Sequence, residues 1–216
     1  MVVHNIGKYN SILNSFVAEL RDISIQKDSM RFRRNIERIG EVLAYELSKV
    51  LNYAPVNIET PLGNKKCYIH QNDVVICSIL RAGIPLHSGI LNYFDKAQNA
   101  FISAFRKMKE DHDFDIQVDY FASPSLQDQV LILCDPMLAT GQSIVNVYNS
   151  LISHGIPAKV HLVSVIASKP GIEYLNDFFG DEIELWVASV DDVLNDHGYI
   201  IPGLGDAGDL AFGIKL

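Results

Sequence analysis

Positive charge is what the 216-residue chain most lacks: 18 lysines and arginines stand against 26 aspartates and glutamates, a formal charge of -8. Proteins that spread over nucleic acid or an anionic membrane need a net basic surface to displace counterions, so both partners are disfavoured, leaving room only for a local basic pocket. Cysteine is scarce too, with Cys67, Cys77 and Cys134 lying in or beside apolar runs without CxxC spacing. An odd, unpatterned set suggests neither a disulfide framework nor a zinc site, and the three read as reduced core cysteines. No stretch approaches the ~18 consecutive apolar residues of a membrane span. Met1 to Asn10 carries no apolar h-region, so a cytoplasmic protein is expected. No internal repeat, low-complexity region or Pro/Gly/Ser linker divides the chain. One domain over residues 1–216 is expected, with 48% hydrophobic residues to build a substantial core.

What is present is alternation. Apolar Ile12, Phe16 and Leu20, then Phe32, Ile36, Ile39, Leu43 and Leu47, recur at helical spacing and predict two amphipathic helices before Pro55. From Pro55 to Ile69 short extended pieces surround Gly63-Asn64, a two-residue turn signal that predicts a small hairpin or hood over the edge of something larger. Continuous apolar strands follow at Val74 to Leu80, Ala100 to Phe105, Val130 to Cys134, Val160 to Ala167 and Ile183 to Val187. Helical stretches lie between them at Leu86 to Phe94 and Ile144 to Leu151. This pattern predicts an α/β fold: an open, doubly wound, mainly parallel sheet with flanking helices, whose ligands sit beyond the carboxyl ends of the strands. Lys107 to Gln129 is the long polar stretch, with Glu110, Asp111, Asp113, Asp115 and a Ser123-Pro124-Ser125 turn, and it reads as a functional or mobile loop.

The strand Val130 to Cys134 runs into Asp135-Pro136-Met137-Leu138-Ala139-Thr140-Gly141-Gln142-Ser143 and then a helical stripe of Ile144, Val147, Tyr148, Leu151 and Ile152. A phosphate above Thr140 to Ser143 would meet unpaired N–H groups at the positive end of the helix dipole and two hydroxyl donors. Asp135, at the strand's carboxyl end, could hold the adjacent hydroxyls of a ribose. Taken alone, the segment reads equally well as an Asp-Pro turn with Ser143 as helix cap. A P-loop GxxxxGK[ST] and a GxGxxG are both missing, which argues against a kinase or dehydrogenase.

Asp135 to Gly141 resembles the phosphoribosyl pyrophosphate (PRPP) loop of uracil phosphoribosyltransferases. Two further stretches share the resemblance: Ile79-Leu80-Arg81-Ala82-Gly83, and the glycine-rich His197-Gly198-Tyr199-Ile200-Ile201-Pro202-Gly203-Leu204-Gly205-Asp206-Ala207-Gly208-Asp209. It implies a type I phosphoribosyltransferase-like fold and the reaction of uracil with PRPP to give UMP and pyrophosphate. By the same resemblance, residues 135–143 and Asp206 bind PRPP, with the Thr140 to Ser143 end on the 5'-phosphate. Arg81 and Arg106 stabilise the leaving pyrophosphate, a task suited to a guanidinium fork. Ile200, Gly205, Asp206 and Ala207 contact uracil largely through backbone, and Asp209 helps fix the loop. Arg81, Asp135 and Asp206 are the candidate catalytic residues.

Two departures from the family pattern stand out: Gln142, where relatives commonly have glycine, and Ile84 to Ser88, where they are richer in glycine. A left-handed backbone at Gln142 would cost about 1 kcal/mol or more, a helical one little. His87 and His197 are assigned no catalytic role. Mg2+ is expected as a cofactor bound with PRPP, and no residue is assigned as a metal ligand. The partners implied are uracil, PRPP and further copies of the chain, as a homodimer or higher homo-oligomer. GTP as an allosteric activator is a further implication, with Arg31, Arg34 and Arg38 on one helix face. Interleaved Glu37 and Glu41 make a solvated, ion-paired face the preferred reading there. The competing readings are a phosphoribosyltransferase-like regulator that binds nucleotide and RNA, an enzyme for another base, and an inactive homologue.

Overall fold

In a computed structural model, which describes residues 1–108 and 114–215 and only the backbone within 104–108 and 114–119, the elements follow the alternation with a few additions. Strand β1 (Val2–Asn5) precedes helices α1 (Ile12–Arg21) and α2 (Ser29–Ser48). Ser11 caps α1 in a reciprocal box with Asn14, and Asp28 caps α2 by accepting from Met30 and Arg31 N–H groups. The stripe on α2 is as expected, with Phe32, Ile36, Ile39, Leu43 and Leu47 all buried. On α1 the buried face is Leu13, Val17 and Leu20, one residue round from the expected Ile12, Phe16 and Leu20. Ile12 is exposed, and Phe16 lies beneath the Arg38 guanidinium. A ten-residue helix has room for two adjacent apolar stripes, and packing against α2 selects one.

The hairpin β2 (Tyr53–Thr60) and β3 (Gly63–His70) forms a separate two-stranded sheet. Its turn is Pro61-Leu62 rather than Gly63-Asn64, because Gly63 already pairs with Thr60. Then come β4 (Val74–Leu80), α3 (Gly83–Leu91), β5 (Gln98–Met108), β6 (Phe114–Ala122), β7 (Val130–Cys134) and the short β8 (Met137–Leu138). The chain continues with α4 (Gln142–Leu151), β9 (Lys159–Ser168), α5 (Lys169–Phe179) and β10 (Ile183–Asp191), and ends with β11 (Val193–Leu194), β12 (Ile200–Ile201) and α6 (Ala207–Phe212). The expected polar loop from Lys107 is thus corrected: β5 runs on to Met108, and β6 returns antiparallel to it. Phe114, Ile116, Val118 and Tyr120 alternate with polar residues there, which is the strand signal the run of acids obscured.

The main sheet has the order β1-β10-β9-β7-β4-β5-β6, parallel throughout except for β5 with β6. Side chains alternate between two cores. Val74 and Ile76 of β4, with Val130 and Ile132 of β7, face α1, α2 and α3. Val75, Cys77 and Ile79, with Leu131 and Leu133, face α4 and α5. Cys77 and Cys134 are buried, and desolvation pushes the Cys77 thiol up to about 12. Cys67 departs from expectation: it lies half-exposed on β3, outside both cores. Strand order reverses between β4 and β7, since the chain leaves β4 toward β5 and leaves β7 toward β9. The carboxyl ends of β4 and β7 therefore border the crevice where doubly wound sheets bind ligands.

Candidate active site

At the end of β7 the Asp135 N–H donates to Val163 O (3.1 Å), and Asp135 Oδ1 accepts from Met137 N–H (3.1 Å). The chain thus turns at once into β8, which pairs with Ile166 and Ala167 of β9. Two serines on β9 hold the next residues. Ser164 Oγ accepts from Leu138 N–H (3.2 Å), and Ser168 Oγ donates to Ala139 O (2.6 Å) while accepting from Gly171 N–H (2.9 Å) as cap of α5. Gly141, at φ +80°, makes the turn into α4. It is the cap, so Ser143 is a first-turn residue instead of the cap itself. Gln142 opens α4 and is not among the residues with positive φ, so its side chain strains nothing. The first-turn N–H groups of α4 lack helical acceptors and frame a hollow of about 30 Å³ bordered by Asp135, Leu138, Thr140, Gly141 and Ser143.

The second turn follows β4. A Cβ on Gly83 would lie 2.5 Å from Ser78 Oγ and 3.1 Å from Cys134 O, so glycine lets this turn sit against the end of β7. That brings Arg81 beside the Asp135 turn. Its side chain is 40% exposed, with Nη2 donating to Asp209 Oδ1 (2.9 Å) and Gly213 O (3.2 Å).

The third segment is held by its own turns. Asn195 Oδ1 accepts from His197 N–H (3.0 Å) and Tyr199 N–H (2.9 Å), shaping the link between β11 and β12. His197 thus sits in a turn. Asp206 caps α6 through Oδ1 with Asp209 N–H (3.0 Å), and its Oδ2 accepts from Lys215 Nζ (3.1 Å). Partial burial pushes the Asp206 carboxyl up, but the hydrogen bonds of Asp209 and Lys215 outweigh it and hold the group below its usual range. The segment runs on into the short helix α6.

These segments converge on one cavity of about 630 Å³. Of the expected residues, Arg81, Asp135, Met137, Ala139, Ser143, Ile200, Gly205, Asp206 and Ala207 line it, and Leu138, Thr140 and Gly141 line the smaller hollow next to it. Pro136 and Gln142 border neither, Pro136 instead accepting from Val165 and Ile166 N–H groups. The side chain of Arg106 lies outside the described residues. Ser103, Tyr199 and Lys215 line the cavity without having been expected. Lys215 follows the recognised glycine-rich run and stands alone in sequence, so nothing marked it. His87 is buried on α3, bonded to Asn99 Oδ1 (2.7 Å) and stacked on Phe101, which makes it a packing residue.

The cavity brings together exposed backbone of the glycine-rich segment, against which a flat group can lie, and Arg81 and the α4 turn, which suit anionic groups. A family model described as uracil phosphoribosyltransferase matches residues 9–214. A curated uracil phosphoribosyltransferase of Porphyromonas gingivalis is 50% identical over 216 residues, covering all of both chains. Among solved structures, a protein of Aquifex aeolicus superposes with a TM-score of 0.87 at 29% identity over the full length of both chains. A hypoxanthine phosphoribosyltransferase of Staphylococcus aureus shares the fold, with a TM-score of 0.51 at 14% identity over 86% of this chain and 83% of its own.

Proposed function

The chain belongs to the uracil phosphoribosyltransferase family, and from that premise we propose that it joins uracil to the ribose of PRPP, forming UMP and releasing pyrophosphate in pyrimidine salvage. The observation that carries the reading is the meeting of Arg81, Asp135, Ser143 and the Gly205–Ala207 backbone on one cavity. N1 of uracil forms a bond to C1 of the ribose as the C1–O bond breaks and its electron pair leaves with pyrophosphate. Charge develops on the sugar, so positioning and electrostatics dominate and no covalent nucleophile is needed. The α4 turn and the hydroxyls of Thr140 and Ser143 anchor the 5'-phosphate, and Asp135 orients the ribose hydroxyls. Arg81 exchanges Asp209 for the pyrophosphate, with Lys215 as a second cation beside it and Arg106 as a third candidate. Ile200, Gly205 and Ala207 hold uracil through backbone, and its N1 proton leaves to water held by Asp206 or to pyrophosphate.

Phosphoribosyltransferases generally use Mg2+ with PRPP. Asp135 and Asp206 both open on the cavity, which fits a cation carried mainly by substrate phosphates with one or two carboxylates, the usual arrangement for Mg2+. When bound, it would offset the charge of the leaving pyrophosphate.

A single domain, a cytoplasmic location and a homodimer or higher homo-oligomer complete the reading. Exposed Leu62, Tyr68 and Ile69 on the β2–β3 hairpin support association between copies. Among the described residues no helix is long and apolar enough to cross a membrane. GTP activation would need the α2 arginines. Arg31 pairs with Glu19 (3.3 Å), Arg34 with Glu37 (2.7 Å), and Arg38 donates to Asn35 (3.1 Å), which favours an ion-paired face over a nucleotide site.

The test is a product assay with PRPP, Mg2+ and, in parallel, uracil, cytosine, orotate, hypoxanthine or no base, with and without GTP. Uracil-dependent UMP formation that is lost in Arg81→Ala is the expected result. Folded protein that makes no UMP would refute the assignment.

A further inference from the structure

Behind the cavity, Arg21 at the end of α1 forms a two-pronged ion pair with Asp191 at the end of β10, Nη1 to Oδ2 at 2.8 Å and Nη2 to Oδ1 at 2.7 Å. Both partners also grip one residue of the glycine-rich segment. Arg21 Nη1 donates to Gly203 O (2.8 Å), and Asp191 Oδ2 accepts from Gly203 N–H (2.9 Å). Ser189 Oγ accepts the remaining contact from Arg21 Nη2 at 3.0 Å. Asp191 is only 7% exposed, and neither charged residue lines the cavity. Next door, Gln26 Nε2 donates to Leu204 O (3.1 Å).

A buried ion pair repays its desolvation only with good geometry and fully used hydrogen-bonding capacity, and this pair spends that capacity on the backbone of Gly203. Gly203 and Leu204 lead directly into Gly205, Asp206 and Ala207. Recognition of a base by main-chain groups has no side chain to readjust, so the placement of the backbone sets the fit. We infer that Arg21 and Asp191 are positioning residues for the base: the ion pair fixes the height of the Gly203–Ala207 backbone and so sets the affinity for uracil, while leaving the phosphate turns untouched. The inference rests on the uracil reading above.

The test uses Asp191→Asn, which keeps the shape and removes the charge, Arg21→Lys, which keeps the charge and loses the fork, and Arg21→Ala with and without added methylguanidine. The expected result is a KM for uracil raised about tenfold in each variant, with KM for PRPP raised no more than about threefold, since Asp206 alone of the shifted segment faces that substrate. Methylguanidine should lower the uracil KM of Arg21→Ala and leave wild type unchanged. A purely structural role would reduce the fraction of active enzyme and move neither KM. An unchanged uracil KM, or both KM values rising together, overturns the inference. Should Arg21→Ala fail to fold, the two milder variants decide. Amide exchange separates this inference from the assigned activity, because it needs no turnover. Residues 203–207 should exchange about tenfold faster in Asp191→Asn while residues 135–143 do not, and equal exchange in both segments would overturn the inference even in an enzyme that makes UMP.

Discussion

Replacing Ser168 by alanine should loosen the phosphate end of the site from outside the cavity. The hydroxyl does two jobs: it caps α5 by accepting from Gly171 N–H at 2.9 Å, and it donates to Ala139 O at 2.6 Å. Loss of a serine cap costs about 1 kcal/mol. Ser168 is fully buried, so Ala139 O would also lose a buried donor, worth about 1–3 kcal/mol more. The sum, about 2–4 kcal/mol, corresponds to roughly 2–4 °C of melting temperature per kcal/mol for a chain of this size. Ala139 immediately precedes Thr140 and Gly141, so the slackened turn should raise KM for PRPP several-fold and leave KM for uracil near wild type. Urea unfolding gives the first quantity and steady-state kinetics the second. A stability loss under about 0.5 kcal/mol with an unchanged PRPP KM would show that β9 does not hold the turn as argued.

Three further outcomes follow from single contacts. Gln142→Gly should leave PRPP kinetics within about twofold and cost up to about 1 kcal/mol in urea unfolding, since the residue is already helical and gains only backbone freedom. Lys215→Met should raise KM for PRPP more than KM for uracil in the same assay, because it removes a cation that is 67% exposed at the cavity and would exchange its Asp206 partner for the phosphates. His161 is buried among Glu184, Lys159 and His4, with Trp186 Nε1 donating to its Nδ1 (3.2 Å), and desolvation lowers it from 6.5 to about 4. The unfolded chain binds this proton first, so the stability it confers is complete above pH 6.5 and is lost as pH falls toward about 4. Its size is at most on the order of 3 kcal/mol, and urea titrations of wild type and His161→Gln across that range should show the limb flattened in the variant.

The sequence spoke most clearly where burial is two-sided or periodic. Val74–Leu80 and Val130–Cys134 are continuous apolar runs because α-helices cover both faces, and their limits could be read residue for residue. Strands that mix polar and apolar residues or carry exposed valines were harder to see: β6 hides in a run of acids, and β1 has exposed Val2 and Val3. In the hairpin, Gly63 drew attention by composition, yet it serves as the first residue of β3 with φ +148°. The site divides the same way. Arg81, Asp135 and Asp206 stand in contiguous motifs at strand ends and a helix cap. Ser168 reaches Ala139 29 positions away, and Arg21 reaches Asp191 and Gly203 170 and 182 positions away, spacings to which no local pattern refers.

Those separations also order the way the site is assembled. The phosphate turn is fastened by Ser168 to Ala139, 29 residues apart, whereas Gly203 is held by Asp191, 12 residues away, and clamped from the other side by Arg21, 182 residues away. Closing a longer loop costs more chain entropy, and contacts of high sequence separation are slow to form. A partly folded molecule would therefore present a finished phosphate cradle while the floor for the base still lacked its Arg21 clamp, and thermal fraying would release that clamp first.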